Sequence, residues 1–418
     1  MTLQQILALI LTLTAIACYV NHRYIRLPPA IGITLVTVCF STTLIIISKL
    51  SFAAELQGRI VVMMESIDFS KAILDGMLSF LLFAAALRIN LFELARYRWL
   101  VCLLATVSVI ISTFTIGTLC WWLFNNLLHV PIGYEFCLVF GALISPTDPL
   151  AVISIMKSLN VPKSLEMKIA GESLFNDGMG IIMFLLTLGV ASGEQEFTGF
   201  NNIILSFFRE VGGGIATGMV LGLFVAHFLR QIASFEVACL LTLALVTGGY
   251  TLSGTVLHVS APIAMVTAGL IIGHTLRSGY LSESMIYPLD TFWGLVDEVL
   301  NSVLFVMIGL EILGVPFTQP AIVMALAAIP IALSGRFISV LIPVTLLKRF
   351  KRLNLRTVSL MTWGGLRGGI SIALALTIPH GPERDIILTI TYAVVIFSIV
   401  VQGSTIRPLL RKMLATHS

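Results

Sequence analysis

From Leu3 to Ile406 the sequence is a succession of uninterrupted apolar runs, each about 15–25 residues long. Only 11% of the 418 residues are charged and 57% are hydrophobic. A soluble domain carries about 25% charged residues, so this chain cannot cover its surface with groups that water solvates. That excludes a soluble enzyme, a nucleic-acid-binding protein and a disordered chain. The runs are continuous, where barrel strands would alternate over about 10 residues. The chain is therefore expected to be an all-α, polytopic membrane protein.

Loop signals divide it into thirteen spans: 3–20, 30–48, 72–88, 99–125, 134–156, 169–191, 210–229, 235–252, 258–276, 288–312, 320–347, 357–378 and 385–406. An amphipathic stretch, Lys49–Lys71, separates spans 2 and 3. The cut between spans 7 and 8 rests only on Arg230–Ser234, and that between spans 8 and 9 is weaker. The basic residues test the count. Arg336 and Arg367 fall within spans; Lys49, Arg59, Lys71, Arg209 and Arg384 fall on one side. The remaining eighteen Lys and Arg lie on the other side, after odd-numbered spans. By the positive-inside rule, the N-terminus is outside and the C-terminus cytoplasmic.

Met1–Gln5 carries no Lys or Arg, so Leu3–Val20 reads as a retained span and not as a cleaved signal peptide. No Walker or GxGxxG segment follows a strand, and no soluble domain is expected. Neither a nucleotide nor nucleic acid is an expected partner, and no cofactor is expected. Cys18, Cys39, Cys102, Cys120, Cys137 and Cys239 lie in or beside apolar runs without CxxC spacing. They read as small hydrophobes. His258 and His274, near span ends, read as packing residues.

Five charges sit near the middle of spans: Asp148, Glu172, Asp177, Arg336 and Arg367. Each costs roughly 2.5–3.5 kcal/mol there, or roughly 12–18 kcal/mol together if unpaired. They are expected to pair or to line a hydrated cavity. In Ser145-Pro-Thr-Asp-Pro149 two prolines flank Thr147-Asp148, which predicts a helix break at membrane depth. In span 12, Trp363-Gly-Gly-Leu-Arg-Gly-Gly369 places four glycines around Arg367 and predicts a second interruption. With span 7 as connector, spans 5 and 12 are each the fifth of a six-span half. Matching interruptions in two inverted halves point to the central site of a transporter. In span 6, Gly171-Glu-Ser-Leu-Phe-Asn-Asp-Gly178 puts Ser173 and Asp177 on one helix face and Glu172 and Asn176 on the adjacent one. Such oxygen-only ligands suit hard cations.

These motifs, with Gly335-Arg336, occur in an order and layout similar to the monovalent cation:proton antiporters of the NhaP and sodium/proton exchanger branch. The resemblance covers essentially the whole chain. It implies two inverted six-helix repeats whose broken helices cross at mid-membrane, in a homodimer within a bacterial inner membrane. It implies one membrane transport unit over 1–418, with 72–191 and 288–406 mainly core and 1–71 and 192–287 mainly dimerisation and connector spans. Carried over residue by residue, it makes Asp177 the cation- and proton-binding carboxylate. Asp148, Ser173 and the Thr147 carbonyl complete the sodium site, and Asn176 joins them among the cation- and proton-binding residues. Glu172 becomes a structural partner of Arg336, with Arg367 at the broken helix ends. Many relatives carry an acid in the third span, where this chain has Ala84–Ala86.

The implied chemistry is secondary antiport, not enzyme catalysis. A proton and a cation compete for Asp177 while the core moves by alternating access. Sodium is the expected cation, with lithium possible as well. With Asn176 neutral, the exchange is expected to be electroneutral. Potassium/proton exchange is the alternative. A channel is more remote, since pores use rings of like groups. An intramembrane hydrolase built on Asp148 and Asp177 has no motif of its own here.

Overall fold

The computed structural model describes residues 3–48, 69–159, 161, 163–193, 200–232, 234–278, 283–315, 319–347 and 355–415. Most of the expected amphipathic stretch at 49–71 and the basic run at 348–354 lie outside the described residues. Among the described residues all regular structure is helical, apart from one isolated bridge between Asp148 and Leu366.

Among the described residues, nine helices are long and apolar enough to cross a membrane. In the order of the thirteen expected spans they are span 1 (Gln4–Ile25), span 2 (Pro29–Ile47), span 3 (Phe69–Arg88), span 4 (Arg98–Asn126), span 6 (Lys163–Ala191), span 7 (Leu205–Leu229), span 8 (Phe235–Val256), span 11 (Gln319–Thr345) and span 13 (Pro382–Lys412). The other four complete the set. Span 9 (Ala261–Arg277) is apolar but short, and span 10 (Glu283–Glu311) is long but carries acids. Span 5 is two half-helices, 5a (Tyr134–Ile144) and 5b (Leu150–Ser158). Span 12 is likewise divided into 12a (Leu355–Trp363) and 12b (Gly369–Leu376).

Both breaks fall where backbone chemistry requires them. Pro146 and Pro149 remove two N–H donors within four residues, and the glycines around Arg367 weaken helix formation. The doubtful cut between spans 8 and 9 occurs at His258, whose φ of 50° ends the helix in the left-handed region. Span 8 opens at Ser234, whose side chain accepts the Val237 N–H. A short helix, Leu91–Arg96, was not foreseen; Asn90 caps it by accepting the Phe92 and Glu93 N–H groups.

The buried side chains gather into two bundles. One holds both interrupted spans: span 4 packs on 5a and span 11, 5a on span 6, and span 13 on span 11 and 12b. The second has its own apolar cluster, from spans 3, 7, 8, 9 and 10, around the fully buried Trp293. The Trp293 ring lies 4.7 Å from that of Phe83, and its Nε1–H donates to Thr242 Oγ1 at 3.1 Å. Span 3 packs chiefly on spans 9 and 10, and span 10 on spans 1, 2 and 3. Spans 3 and 10 also reach the first bundle: Leu78, Leu82 and Ala86 of span 3 and Leu304, Phe305 and Ile308 of span 10 lie in its apolar cluster.

Spans 7 and 9 meet backbone to backbone. Gly214, Gly218 and Gly222 recur every four residues and face Ser260, Ala264 and Ala268. A Cβ at Gly214 would stand 2.7 Å from the Ser260 carbonyl oxygen, and one at Gly218 would strike that of Ala264. The seam between the bundles is made differently, by side chains: Ile263 of span 9 lies against Gly178, and Leu304 of span 10 against Gly369.

Candidate ion-binding site

The two interrupted spans touch through their main chains. The Asp148 N–H donates to the Leu366 carbonyl at 2.7 Å. Each break exposes helix ends, and each end faces a group of complementary charge. The C-terminus of 5a presents the carbonyls of Ser145 and Pro146. Arg367 Nη1 donates to both, at 2.6 and 2.9 Å. The C-terminus of 12a presents Met361 and Trp363. Arg336 Nη2 donates to the Met361 carbonyl at 3.4 Å, and Gln402 Nε2 to that of Trp363 at 3.0 Å. Two arginines therefore meet the two negative ends of the half-helix dipoles.

The positive ends converge on one acid. Asp148 Oδ1 accepts the N–H of Leu150, the first residue of 5b, at 2.9 Å. The Asp148 side chain also lies against Gly368, where 12b begins; a Cβ there would stand 2.9 Å from Asp148 Oδ2. Asp148 is thus compensated by the N-termini of both half-helices.

Span 6 brings the remaining groups. Glu172 and Arg336 form a 2.5 Å ion pair, with side chains 1% and 5% exposed. Glu172 also interacts electrostatically with Arg367. One carboxylate therefore serves two buried guanidinium groups, and helix-end carbonyls supply the balance. Asn176 binds Thr147 twice: Oδ1 accepts the Thr147 N–H at 3.4 Å, and Nδ2 donates to Thr147 Oγ1 at 2.8 Å. Thr147 Oγ1 lies 3.3 Å from Ser173 Oγ.

Asp177 differs from all of these. It lies one turn beyond Ser173 on the same face, beside Gly178 at the seam with span 9, and is partly accessible. Among the described residues no side chain hydrogen-bonds or ion-pairs with its carboxylate. The charge it feels is that of Asp148, of its own sign. The structure thus gathers Asp148, Thr147, Ser173, Asn176 and Asp177 around the crossing, with Glu172, Arg336 and Arg367 behind it. An oxygen-lined place with one uncompensated carboxylate can hold a proton or a small hard cation.

The comparisons with known proteins show the family and the fold. The family model described as "Sodium/hydrogen exchanger, transmembrane" matches residues 8–412. The chain belongs to the sodium/hydrogen exchanger family. Within it, this exchanger is 44% identical to the Na(+)/H(+) antiporter NhaP of Pseudomonas aeruginosa, over 98% of this chain and 97% of that one. It is 31% identical to the Na(+)/H(+) antiporter NhaH of Halobacillus aidingensis, over 98% and 96% of the two chains. The solved structure of the sodium proton antiporter MjNhaP1 of Methanocaldococcus jannaschii at pH 8 superposes with a TM-score of 0.73. That match covers 97% of this exchanger and all of the other chain at 19% identity, which shows a shared fold.

Three residues of the exchanger's central region escaped sequence reasoning. Asp297 of span 10 is 7% exposed; its Oδ2 lies 3.2 Å from Arg88 Nη1, and its Oδ1 accepts from Asn301 Nδ2 at 2.8 Å. Its charge reaches Asp148. It was legible as an acid inside a span. The others, Ser398 and Gln402 of span 13, are neutral and give no such signal.

Proposed function

We propose that this exchanger is a secondary antiporter that trades a monovalent cation, sodium first, for a proton by alternating access. One observation carries the reading: among the described residues at the crossing, every charged side chain except Asp177 has a partner of opposite sign. Asp148 has two helix N-termini, Glu172 has Arg336, and Arg367 has the carbonyls of Ser145 and Pro146. A carboxylate without a fixed counter-charge gains by taking up a proton or a cation, and one excludes the other. Ser173, Thr147 and Asp148 are its companion ligands in this reading, and Asn176 fixes Thr147 among them.

The names of the relatives support sodium over potassium. We also propose a homodimer in a bacterial inner membrane, with the N-terminus outside and the C-terminus in the cytoplasm, as the basic residues favour. The packing supports a mobile core of spans 4–6 and 11–13, moving against a frame of spans 1–3 and 7–10. In this reading 72–88 and 288–312 belong to the frame.

Everted vesicles loaded with a pH-sensitive dye test the function. Sodium or lithium added to an acidified interior should restore fluorescence in the wild type and leave it quenched in Asp177→Asn. Exchange with potassium alone would replace sodium as the substrate, and normal exchange in Asp177→Asn would remove Asp177 from the mechanism.

A further inference from the structure

Span 13 does not run as a regular α-helix past the interruption of span 12. Residues Ser398–Gln402 form a wide, π-helical turn between Pro382–Phe397 and Gly403–Ala415. Such insertions give up regular helix geometry, and they recur where a helix serves a site. Here the turn directs two polar side chains, both buried, at the gap between 12a and 12b. Ser398 is 0% and Gln402 3% exposed.

Gln402 holds the near side of the gap. Its amide donates to the Trp363 carbonyl, the last of 12a, at 3.0 Å. That carbonyl has no helical partner beyond the break, and an orphaned acceptor at this depth is costly. Ser398 holds the far side. Its Oγ accepts the Arg367 N–H at 2.9 Å. That N–H and the Leu366 carbonyl belong to one peptide group, and the Leu366 carbonyl accepts the Asp148 N–H at 2.7 Å. A single planar peptide is therefore pinned at both poles, to span 13 on one side and to span 5 on the other. The same residue sends its guanidinium to the Ser145 and Pro146 carbonyls. The Ser398 hydroxyl thus fixes the point from which both grips on span 5 start.

We propose that Ser398, supported by Gln402, is a positioning residue for the cation site: it sets Asp148 and Thr147 through the Leu366–Arg367 peptide without touching the ion. The inference rests on the antiport reading above. Moving that peptide displaces the companion ligands of Asp177 but leaves the Asp177 carboxylate itself on span 6. The cation should then bind more weakly while turnover at saturation is retained.

The test is transport kinetics in proteoliposomes, with wild type and Asp177→Asn as controls. Ser398→Ala should raise the sodium KM about tenfold, the scale of one lost buried hydrogen bond, with maximal rate within about twofold of wild type. Ser398→Thr keeps the acceptor and should restore the wild-type KM. Ser398→Cys, with a weaker acceptor of similar size, should fall between them and covers the case of an alanine variant that does not fold. Gln402→Leu should raise KM in the same direction. An unchanged KM with a lowered maximal rate in Ser398→Ala or Ser398→Cys would show a merely structural role and overturn the proposal, as would failure of Ser398→Thr to restore KM. Absence of sodium-dependent proton movement in the wild type would instead overturn the antiport reading, so the two failures are separable.

Discussion

Asn176 engages Thr147 at two points, through its carbonyl oxygen to the backbone N–H and through its amide to the hydroxyl, at 3.4 and 2.8 Å. Both ends of the side chain are therefore committed to the strand-like turn between 5a and 5b. Asn176 contributes geometry to the crossing and no titratable charge. On the proposed reading that leaves Asp177 as the acid of span 6 that alternates between ligands, because Glu172 is held by Arg336 and Glu166 lies beside Lys157 near the start of the span.

One alternating carboxylate implies one proton for one cation. A membrane potential, worth about 2.3 kcal/mol per elementary charge per 100 mV, should then leave the final ion gradients unchanged. Clamping the voltage with valinomycin and potassium in proteoliposomes tests this, once potassium is shown not to be a substrate. Cation accumulation that follows the imposed voltage would require a second proton.

The same competition sets a slope. Below the pH at which Asp177 is half protonated, each unit fall in pH removes about tenfold of the cation-competent form, so the sodium KM should rise about tenfold per unit. Maximal rate is unaffected by this effect. A KM that rises about a hundredfold per unit would mean that two groups titrate together.

The two aspartates should respond differently to the same change. Asp177→Asn should abolish exchange and leave a folded protein, since the amide is nearly isosteric and no partner is lost. Asp148→Asn keeps an oxygen to accept the Leu150 N–H and should retain measurable exchange at raised KM. Asp148→Ala also loses the acceptor for the Leu150 N–H, at about 0.5–1.5 kcal/mol of stability. Equal abolition by both asparagine variants, measured as dye recovery, would contradict the division of roles.

Glu172 should matter for folding before it matters for ions. Glu172→Gln leaves Arg336 charged and buried, which costs about 3–5 kcal/mol. The expected result is a lower melting temperature by size-exclusion thermal challenge. The double variant Glu172→Gln with Arg336→Gln should recover much of that loss. A Glu172→Gln protein as stable as wild type would show that the pair contributes nothing.

The Arg88–Asp297 contact is weaker, because the Arg88 side chain is 39% exposed and water screens it. A double-mutant cycle of Arg88→Gln and Asp297→Asn should give a coupling of about 1 kcal/mol or less. A coupling of several kcal/mol would show that the pair is shielded from solvent.

Much of this architecture could be read before any coordinates. Apolar runs and basic loops gave thirteen segments, because hydrophobic length and charge sidedness are written one residue at a time. Both helix breaks were legible for the same reason, in Pro146 and Pro149 and in the glycines flanking Arg367. Pairings were harder to see. That Arg367 reaches the ends of 5a, or that Gln402 meets Trp363, depends on how helices far apart in sequence cross. Spans 3 and 10 show the same limit: their apolar faces do not state which bundle they join. Ser398 could not have been singled out, since a serine that accepts one N–H resembles every serine that bonds back to its own helix.

The glycine contact between spans 7 and 9 has a mechanical consequence. Where Gly214, Gly218 and Gly222 rest on the opposing backbone, the main chains themselves set the depth of approach, with Ile263, Thr267 and Ile271 packed beside them. Such a joint has a single depth of approach and no soft coordinate along which one helix can creep past the other. The seam at Ile263 and Leu304 is built of branched side chains, which can turn over and reseat. Compliance in this molecule is therefore unevenly spread: in the proposed movement of core against frame, the bearing surface lies at the seam and spans 7 and 9 are the stator.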